Sequence, residues 1–118
     1  MTPTAQRALL ASIEAWHKKK EATTPYAVVL GEKGCPLCKQ FRRCKDCPIA
    51  AATGFEQCRR TPYAKAHTAC AAWFEMSCDY FSLSEIEIAR SQWRKACDEM
   101  IRFMSRLVPR NAWGGRFE

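Results

Sequence analysis

The sequence lacks the motifs on which many enzyme classes depend. Its 118 residues contain no glycine-rich phosphate loop, no H-E-x-x-H, no G-x-S-x-G and no H-x-E…P-C-x-x-C deaminase signature. Because histidine occurs only twice, a Cys–His nucleophile pair would require His67 to meet an activated cysteine in space. The acidic residues are scattered and form no recognisable pair. We therefore expect a non-enzymatic protein without a small-molecule substrate.

Long apolar runs and an export signal are also missing. The apolar runs extend over only a few residues, which is too short for a membrane span. The opening MTPTAQRALLASIEAW has no small-residue cleavage site after an apolar core, so it is typical of an amphipathic helix. We expect no membrane association and a cytoplasmic location, where thiols stay reduced or bind metal.

Cysteine is the residue type in clear excess. Five of the eight cysteines fall between Cys35 and Cys58, and four of these form two Cys-x-x-Cys pairs, Cys35/Cys38 and Cys44/Cys47. This spacing lets both sulfurs of a pair turn toward one ion, and four thiolates at ~2.3 Å close a structural zinc site with no position for a substrate. The stretch therefore predicts a zinc knuckle that uses four of its five cysteines.

The sequence leaves the ligand set and the metal open. The simplest set is Cys35, Cys38, Cys44 and Cys47, but the gap between the two pairs is short for two knuckles that face each other. A set in which Cys58 replaces Cys44 would give the chain more reach. An iron–sulfur cluster is an alternative cofactor, although the spacing matches neither common ferredoxin pattern. A redox thiol protein is a further alternative, but no βαβ pattern surrounds the cysteines.

Positive charge is concentrated on the cysteine region. The chain has a formal net charge of +7, and residues 31–67 hold eight basic and three acidic groups, whereas residues 68–118 hold seven of each. Four thiolates and one Zn²⁺ would offset part of this excess and leave about +3. This surplus, with Phe41, Phe55 and Tyr63 interleaved, predicts contact with nucleic acid. The candidate contact residues are Lys39, Arg42, Arg43, Lys45, Arg59, Arg60 and Lys65.

The rest of the chain predicts a mainly α-helical fold, with a three-helix core and the knuckle inserted between the first and second helices. The first helix is expected over residues 3–21, with Thr2 as its N-cap and an apolar face formed by Leu9, Ile13 and Trp16. Residues 1–109 are expected to form a single domain with the knuckle at 34–60. The remaining residues, 110–118, are expected to be a flexible tail.

The second and third predicted helices follow the knuckle. The second is expected from Pro62 to about Tyr80, with Trp73 beside its buried face. The third is expected to begin at a capping box, formed either by Ser82 with Glu85 or by Ser84 with Glu87, and to run to about Leu107. Before the knuckle, the apolar run 26–30 predicts either a strand or an extended arm. The buried face of the second helix is predicted to comprise Tyr63, Ala66, Cys70, Phe74, Ser77 and Phe81, and Cys78 is expected to be core as well.

The cysteine stretch resembles a group of small, uncharacterised bacterial and phage or prophage proteins. Their pattern is C-P-L-C, an aromatic residue, C-x-x-C-P, T-G and C-x-x-T-P-Y. The corresponding segments here are Cys35-Pro36-Leu37-Cys38, Phe41, Cys44 to Pro48, Thr53-Gly54 and Cys58 to Tyr63. The resemblance implies that all five cysteines belong to one module and brings no established activity. It favours a small phage or bacterial accessory protein, located in the host cytoplasm if the chain is phage-encoded. An adaptor or inhibitor of a host machine (for example an anti-defence protein) is the alternative.

Overall fold

Helices account for most of the described chain. A computed structural model describes residues 2–30, 35–41, 47–53, 61–78 and 81–109, and within these residues there is no β-strand. The prediction of a mainly α-helical chain is therefore confirmed. The elements are α1 (Pro3–Lys20), a 3₁₀ helix (Pro25–Ala27), α2 (Pro36–Gln40), α3 (Pro48–Thr53), α4 (Tyr63–Cys78) and α5 (Leu83–Leu107).

The first helix begins as the sequence predicts. The Oγ1 atom of Thr2 accepts a hydrogen bond from the Ala5 N–H at 3.1 Å, which satisfies one of the amides that the first helical turn leaves without a partner. The apolar face formed by Leu9, Ile13 and Trp16 is buried. Helix α1 packs this face against α5 and also contacts α2.

Helix α5 is the centre of the fold, because α1, α3 and α4 all pack against it. Of the two predicted capping boxes, the one formed by Ser82 and Glu85 is present: the Ser82 Oγ accepts from the Glu85 N–H at 3.3 Å and donates to the Glu85 carboxylate at 2.9 Å. The Trp93 ring is fully buried and lies 6.0 Å from the Trp16 ring. The side chains that α5 buries are Ala89, Trp93, Ala96, Cys97, Met100, Ile101 and Met104.

The predicted buried face of the second helix is wrong in part. Ala66 and Trp73 are buried in α4, but Phe74 is 45% exposed, and Cys78 is exposed as well. Helix α4 is rotated so that the indole of Trp73, the larger of the two rings, is buried in the core. Phe74 is the next residue along the helix and therefore lies beside the buried face, where it is partly exposed. The Phe74 ring instead packs edge-on against the ring of Tyr26, with the two centroids 5.1 Å apart.

The apolar run before the cysteines is an arm and contains no strand. It begins with the 3₁₀ helix, which packs against α4, and continues with extended backbone at Val28. The side chains of Val28 and Leu30 pack against the core, whereas Tyr26 is 58% exposed and Val29 is 50% exposed. Of the two predicted alternatives, the extended arm describes this segment.

Candidate metal centre and surrounding surface

The first Cys-x-x-Cys pair lies at the start of α2. Cys35 is the N-cap of this helix, with extended backbone (φ −117°, ψ 115°), and Pro36 follows it at the first helical position. Proline suits this position because its missing N–H is not needed there. Cys38 lies in α2, three residues after Cys35, and Leu37 between them is completely buried. The pair is therefore held on the helical core by one aliphatic side chain.

The thiol of Cys35 lies beside a buried hydroxyl. The Ser12 Oγ in α1 is 3.7 Å from the Cys35 Sγ, and it donates a hydrogen bond to the Met104 Sδ at 3.6 Å. Ser12 is only 1% exposed and is the one buried polar side chain in the described part of the chain. Cys35 itself is half-buried. The arrangement joins the cysteine stretch to α1 and α5 through one hydroxyl group.

The second pair ends at the start of α3. Cys47 is buried and directly precedes Pro48, the first residue of this helix. Ile49, the next residue along, is only 2% exposed, and α3 packs against α5. The Thr53 hydroxyl donates back to the Ile49 carbonyl at 2.9 Å at the end of the helix. The segment that carries Cys47 is therefore anchored on the same core as the segment that carries Cys35.

The three cysteines outside the stretch have different environments. Cys97 is fully buried in α5, and burial, followed by the nearby Asp98 charge, raises the pKa of its thiol to about 12. Burial also raises the pKa of Cys70. Cys78 is exposed and its Sγ lies 3.4 Å from the Tyr26 hydroxyl. Cys97 and Cys70 behave as neutral apolar groups at physiological pH, which makes them poor metal ligands without further help.

The described residues include only part of the predicted site. Among them, no three His, Cys, Asp or Glu side chains lie close enough together to hold a metal ion. However, the side chain of Cys38, and all of Cys44 and Cys58, lie outside these residues. The four-thiolate zinc site therefore stays a prediction.

Most of the predicted nucleic-acid contacts also lie outside the described residues. Lys65 in α4 is the exception: its side chain is 75% exposed and its Nζ lies 3.7 Å from the Glu99 carboxylate. Such exposed ion pairs contribute about 0–1 kcal/mol, so this lysine could exchange its partner for another anion at little cost. The predicted contacts that lie outside the description are Arg42, Arg43, Lys45, Arg59 and Arg60, together with the side chain of Lys39.

A second basic surface lies where the end of α1 meets α5. The Trp93 Nε1–H donates to the Lys19 carbonyl at 3.2 Å, and the Arg90 Nε–H donates to the Ala22 carbonyl at 3.3 Å. The Lys20 Nζ pairs with the Asp98 carboxylate at 2.6 Å. This surface is not evident in the sequence, because its residues come from segments about 70 positions apart and its α5 part lies in residues 68–118, where acidic and basic groups balance.

An exposed apolar patch lies beside the arm. Tyr26 is 58% exposed and its ring packs against Phe74, which is 45% exposed. The hydrogen bond with the Cys78 thiol, together with partial desolvation, raises the pKa of the Tyr26 phenol. Two aromatic rings therefore lie side by side at the surface of the described residues, each about half exposed.

Comparison with protein-family models, with curated proteins and with solved structures finds no match for this chain. The expected function therefore depends on the residues themselves. Within the described residues, no helix is both long enough and apolar enough to span a bilayer.

Proposed function

We propose that the chain is a non-enzymatic zinc-binding helical module whose basic surface contacts nucleic acid. The observation that carries the zinc site is the buried Ser12 hydroxyl beside Cys35, at the start of a stretch with two Cys-x-x-Cys pairs. Four thiolates from Cys35, Cys38, Cys47 and either Cys44 or Cys58 would hold the ion. Zinc would supply folding free energy to the stretch and no reactive position.

The position of Ser12 suits a metal-bound thiolate. A thiolate can only accept hydrogen bonds, so a hydroxyl beside it must donate. The Ser12 Oγ lies almost equally far from the Met104 Sδ, at 3.6 Å, and from the Cys35 Sγ, at 3.7 Å. Its hydrogen can therefore turn from the thioether to the thiolate with little movement of the heavy atoms. Partners of this kind orient metal ligands, and their loss typically weakens metal affinity 10–100-fold.

The packing of the stretch also favours a structural role for the metal. Leu37 and Ile49 place the segments around Cys35 and Cys47 on the core that α1 and α5 form. A zinc ion bound to both segments would link two anchored ends, so its binding free energy would add to the stability of the whole fold. We expect metal removal to lower the melting temperature and not merely to loosen a surface loop.

Metal analysis and substitution test the zinc site. We expect about one zinc per chain in protein purified under reducing conditions, and loss of the metal in Cys35→Ser and Cys38→Ser. Cys78→Ser is the matched control, because this exposed thiol lies outside the stretch. Ser12→Ala should weaken zinc affinity about 10–100-fold, as measured by competition with a chelator. Retention of zinc in every single variant of the five stretch cysteines would contradict the site.

Ser77 is a matched control for Ser12. It distinguishes an effect of the Ser12 hydroxyl on the metal site from a general effect of removing a serine from a helix. Ser77 in α4 donates to the Trp73 carbonyl of its own helix at 2.8 Å and forms no hydrogen bond with a thiol of the described residues. Ser77→Ala should therefore leave zinc affinity unchanged. Equal weakening in Ser12→Ala and Ser77→Ala would show that the hydroxyl beside Cys35 does not act on the metal site.

The charge of the cysteine region supports contact with nucleic acid. The surplus of basic groups in residues 31–67 would meet the phosphate backbone, and aromatic side chains in the same segment could stack on bases. Affinity measured by fluorescence anisotropy should fall steeply with salt, because each neutralised phosphate releases counterions. Failure to bind either DNA or RNA at low salt would refute this part of the proposal.

A protein partner is the second candidate function, and the apolar patch of Tyr26 and Phe74 favours it. Aromatic residues are enriched in protein–protein interfaces, where a few of them often contribute most of the binding free energy. A partner that binds here should be retained by the wild type and lost in Phe74→Glu. Ile88→Glu is the matched control, because Ile88 on α5 is also exposed, at 60%. Equal retention by both variants would exclude this patch as the binding surface.

A further inference from the structure

We propose that the cleft between the C-terminal end of α1 and the first half of α5 is a phosphate-binding surface for the nucleic-acid backbone. This inference rests on the proposed nucleic-acid function and adds a contact surface away from the cysteine stretch. The cleft has a volume of about 300 Å³. The residues that line it are Lys20, Glu87, Arg90, Ser91, Arg94, Lys95 and Asp98.

The charges of this α1–α5 cleft favour an anion. Four of its side chains are basic and two are acidic, and both carboxylates already face a cation of the cleft. Asp98 pairs with Lys20 at 2.6 Å, and Glu87 lies 3.9 Å from Arg90. The other two basic groups, Arg94 and Lys95, are exposed and form no ion pair with the described residues. Two cations and the Ser91 hydroxyl therefore remain to bind phosphate oxygens.

The neighbouring surface extends the positive potential along α1. A second cavity, of about 340 Å³, is lined by Lys18, Lys19, Glu21, Ala22 and residues of the arm. The Lys19 Nζ lies 4.8 Å above the Trp16 ring, a contact that holds its side chain against the protein. Three consecutive lysines of α1 thus stand beside the basic groups of α5, although residues 68–118 sum to zero charge.

Hydrogen bonds from α5 prepare this end of α1 for an anion. The last carbonyl groups of a helix normally present partial negative charge, which repels phosphate. Here the Trp93 indole donates to the Lys19 carbonyl, and the Arg90 guanidinium donates to the Ala22 carbonyl just beyond the helix. These bonds offset the negative ends of the two carbonyl dipoles and also fix α1 against α5. The cationic side chains therefore stand on a rigid junction.

The open form of the cleft favours an extended polyanion over a small phosphate compound. A small anion is held tightly where buried groups surround it, yet the Lys20 and Arg90 side chains are 24% and 25% exposed, and Arg94 and Lys95 are more exposed still. A nucleic-acid backbone instead gains affinity by meeting several exposed cations at once, with release of counterions. The spread of lysines and arginines over two elements matches this mode.

Two double variants, each of which removes two positive charges, test the cleft. Arg94→Gln/Lys95→Gln removes the two cations of the cleft that form no ion pair within the described residues, whereas Arg102→Gln/Arg106→Gln makes the same change in charge further along α5. Arg102 and Arg106 are exposed, donate to carbonyls of their own helix and do not line the cleft. Fluorescence anisotropy with a labelled DNA duplex and with its single strand, at about 50–200 mM salt, gives the slope of log affinity against log salt.

We expect the cleft variant to reduce the magnitude of this slope by roughly 1.4–1.8, which corresponds to two lost phosphate contacts, and to lower affinity at least about tenfold. The control should change the slope by much less, and both variants should retain the wild-type melting temperature. Equal slopes for the two variants, with wild-type binding intact, would overturn the inference while the proposed function stands. An Arg59→Gln/Arg60→Gln variant then shows whether the cysteine region carries the binding. No binding by the wild type would refute both.

Discussion

Leu37→Ala should destabilise the whole protein, although Leu37 lies in a five-residue helix between two predicted metal ligands. A short surface helix would ordinarily unfold on its own at little cost, since helices of this length are not stable in isolation. Leu37, however, is completely buried and belongs to the same core cluster as Leu9 and Trp93. Removal of this side chain should therefore lower the free energy of global unfolding.

The size of the effect follows from burial. Leucine-to-alanine changes at fully buried sites cost about 3–5 kcal/mol, because the lost contact area and the remaining cavity both count. With an unfolding entropy of about 2.1 cal/mol/K per residue, a chain of 118 residues would lose about 12 °C in melting temperature for ~3 kcal/mol. Leu83→Ala is the control, because Leu83 is 81% exposed and the same substitution there should cost less than ~0.5 kcal/mol.

Urea unfolding followed by circular dichroism measures both variants, with the metal content held equal in each sample. If Leu37→Ala and Leu83→Ala have the same urea midpoint, the cysteine stretch does not share the helical core. A metal bound to the stretch would then not be expected to stabilise the whole fold. A smaller m-value for Leu37→Ala would instead indicate that the stretch unfolds separately from the helices. The expected result is a lower midpoint with an unchanged m-value.

Three further predictions test the core and the helix ends. Trp93→Phe should cost about 2 kcal/mol in urea unfolding, because it leaves the Lys19 carbonyl without its indole donor and opens a small cavity. Ser82→Ala should cost about 1 kcal/mol by removing the N-cap of α5, and Ser82→Asp should restore most of this loss. Since burial raises the pKa of Cys97 from 9.0 to about 12, the folded state favours its neutral thiol, so stability is present below pH 9 and should fall by up to ~1.4 kcal/mol per pH unit between pH 9 and 12. A Cys97→Ala variant should show a smaller alkaline slope, although Cys70, whose pKa burial also raises, still contributes to it. The same slope in both proteins would contradict the assignment.

The long helices could be predicted from sequence because their signals are local. Thr2 before Pro3 and Ser82 three residues before Glu85 are caps whose partners lie within one turn, and both bonds are present. The apolar face of α5 repeats over 25 residues, so an error at one position does not change the face. Such features depend on neighbours in the chain and need no knowledge of the tertiary fold.

The face of α4 could not be predicted in the same way. Its sequence offers Trp73 and Phe74 side by side, and helical periodicity allows either residue to be the centre of the buried stripe. Packing decides in favour of Trp73, which enters the core, while Phe74 meets the ring of Tyr26 from the arm. This partner is 48 positions away in the chain, so only the tertiary structure selects the rotation of α4.

The candidate sites also combine features that local sequence predicts with features that only the tertiary structure reveals. The Cys-x-x-Cys spacing is local and predicts thiolate ligands, but the Ser12 hydroxyl that faces Cys35 comes from another helix. A clue was present, because Ser12 occurs on the apolar face beside Ile13, where a polar side chain requires a reason. The reason itself, a sulfur atom on either side of the hydroxyl, becomes visible only when α1, α2 and α5 are packed together.

Helix α1 connects the two proposed surfaces. Its middle presents Ser12 to the cysteine stretch, and its end presents Lys20 to the α1–α5 cleft, about 12 Å further along the helix at 1.5 Å per residue. Both contacts depend on the same packing of α1 against α5, in which the rings of Trp16 and Trp93 meet at a tilted angle. A zinc ion that stabilises the cysteine stretch on α1 would therefore also stabilise the junction that holds the basic groups in place. A metal bound at the proposed site would thus support the proposed recognition of a polyanion without touching it, because the two proposed surfaces share one helix and one core.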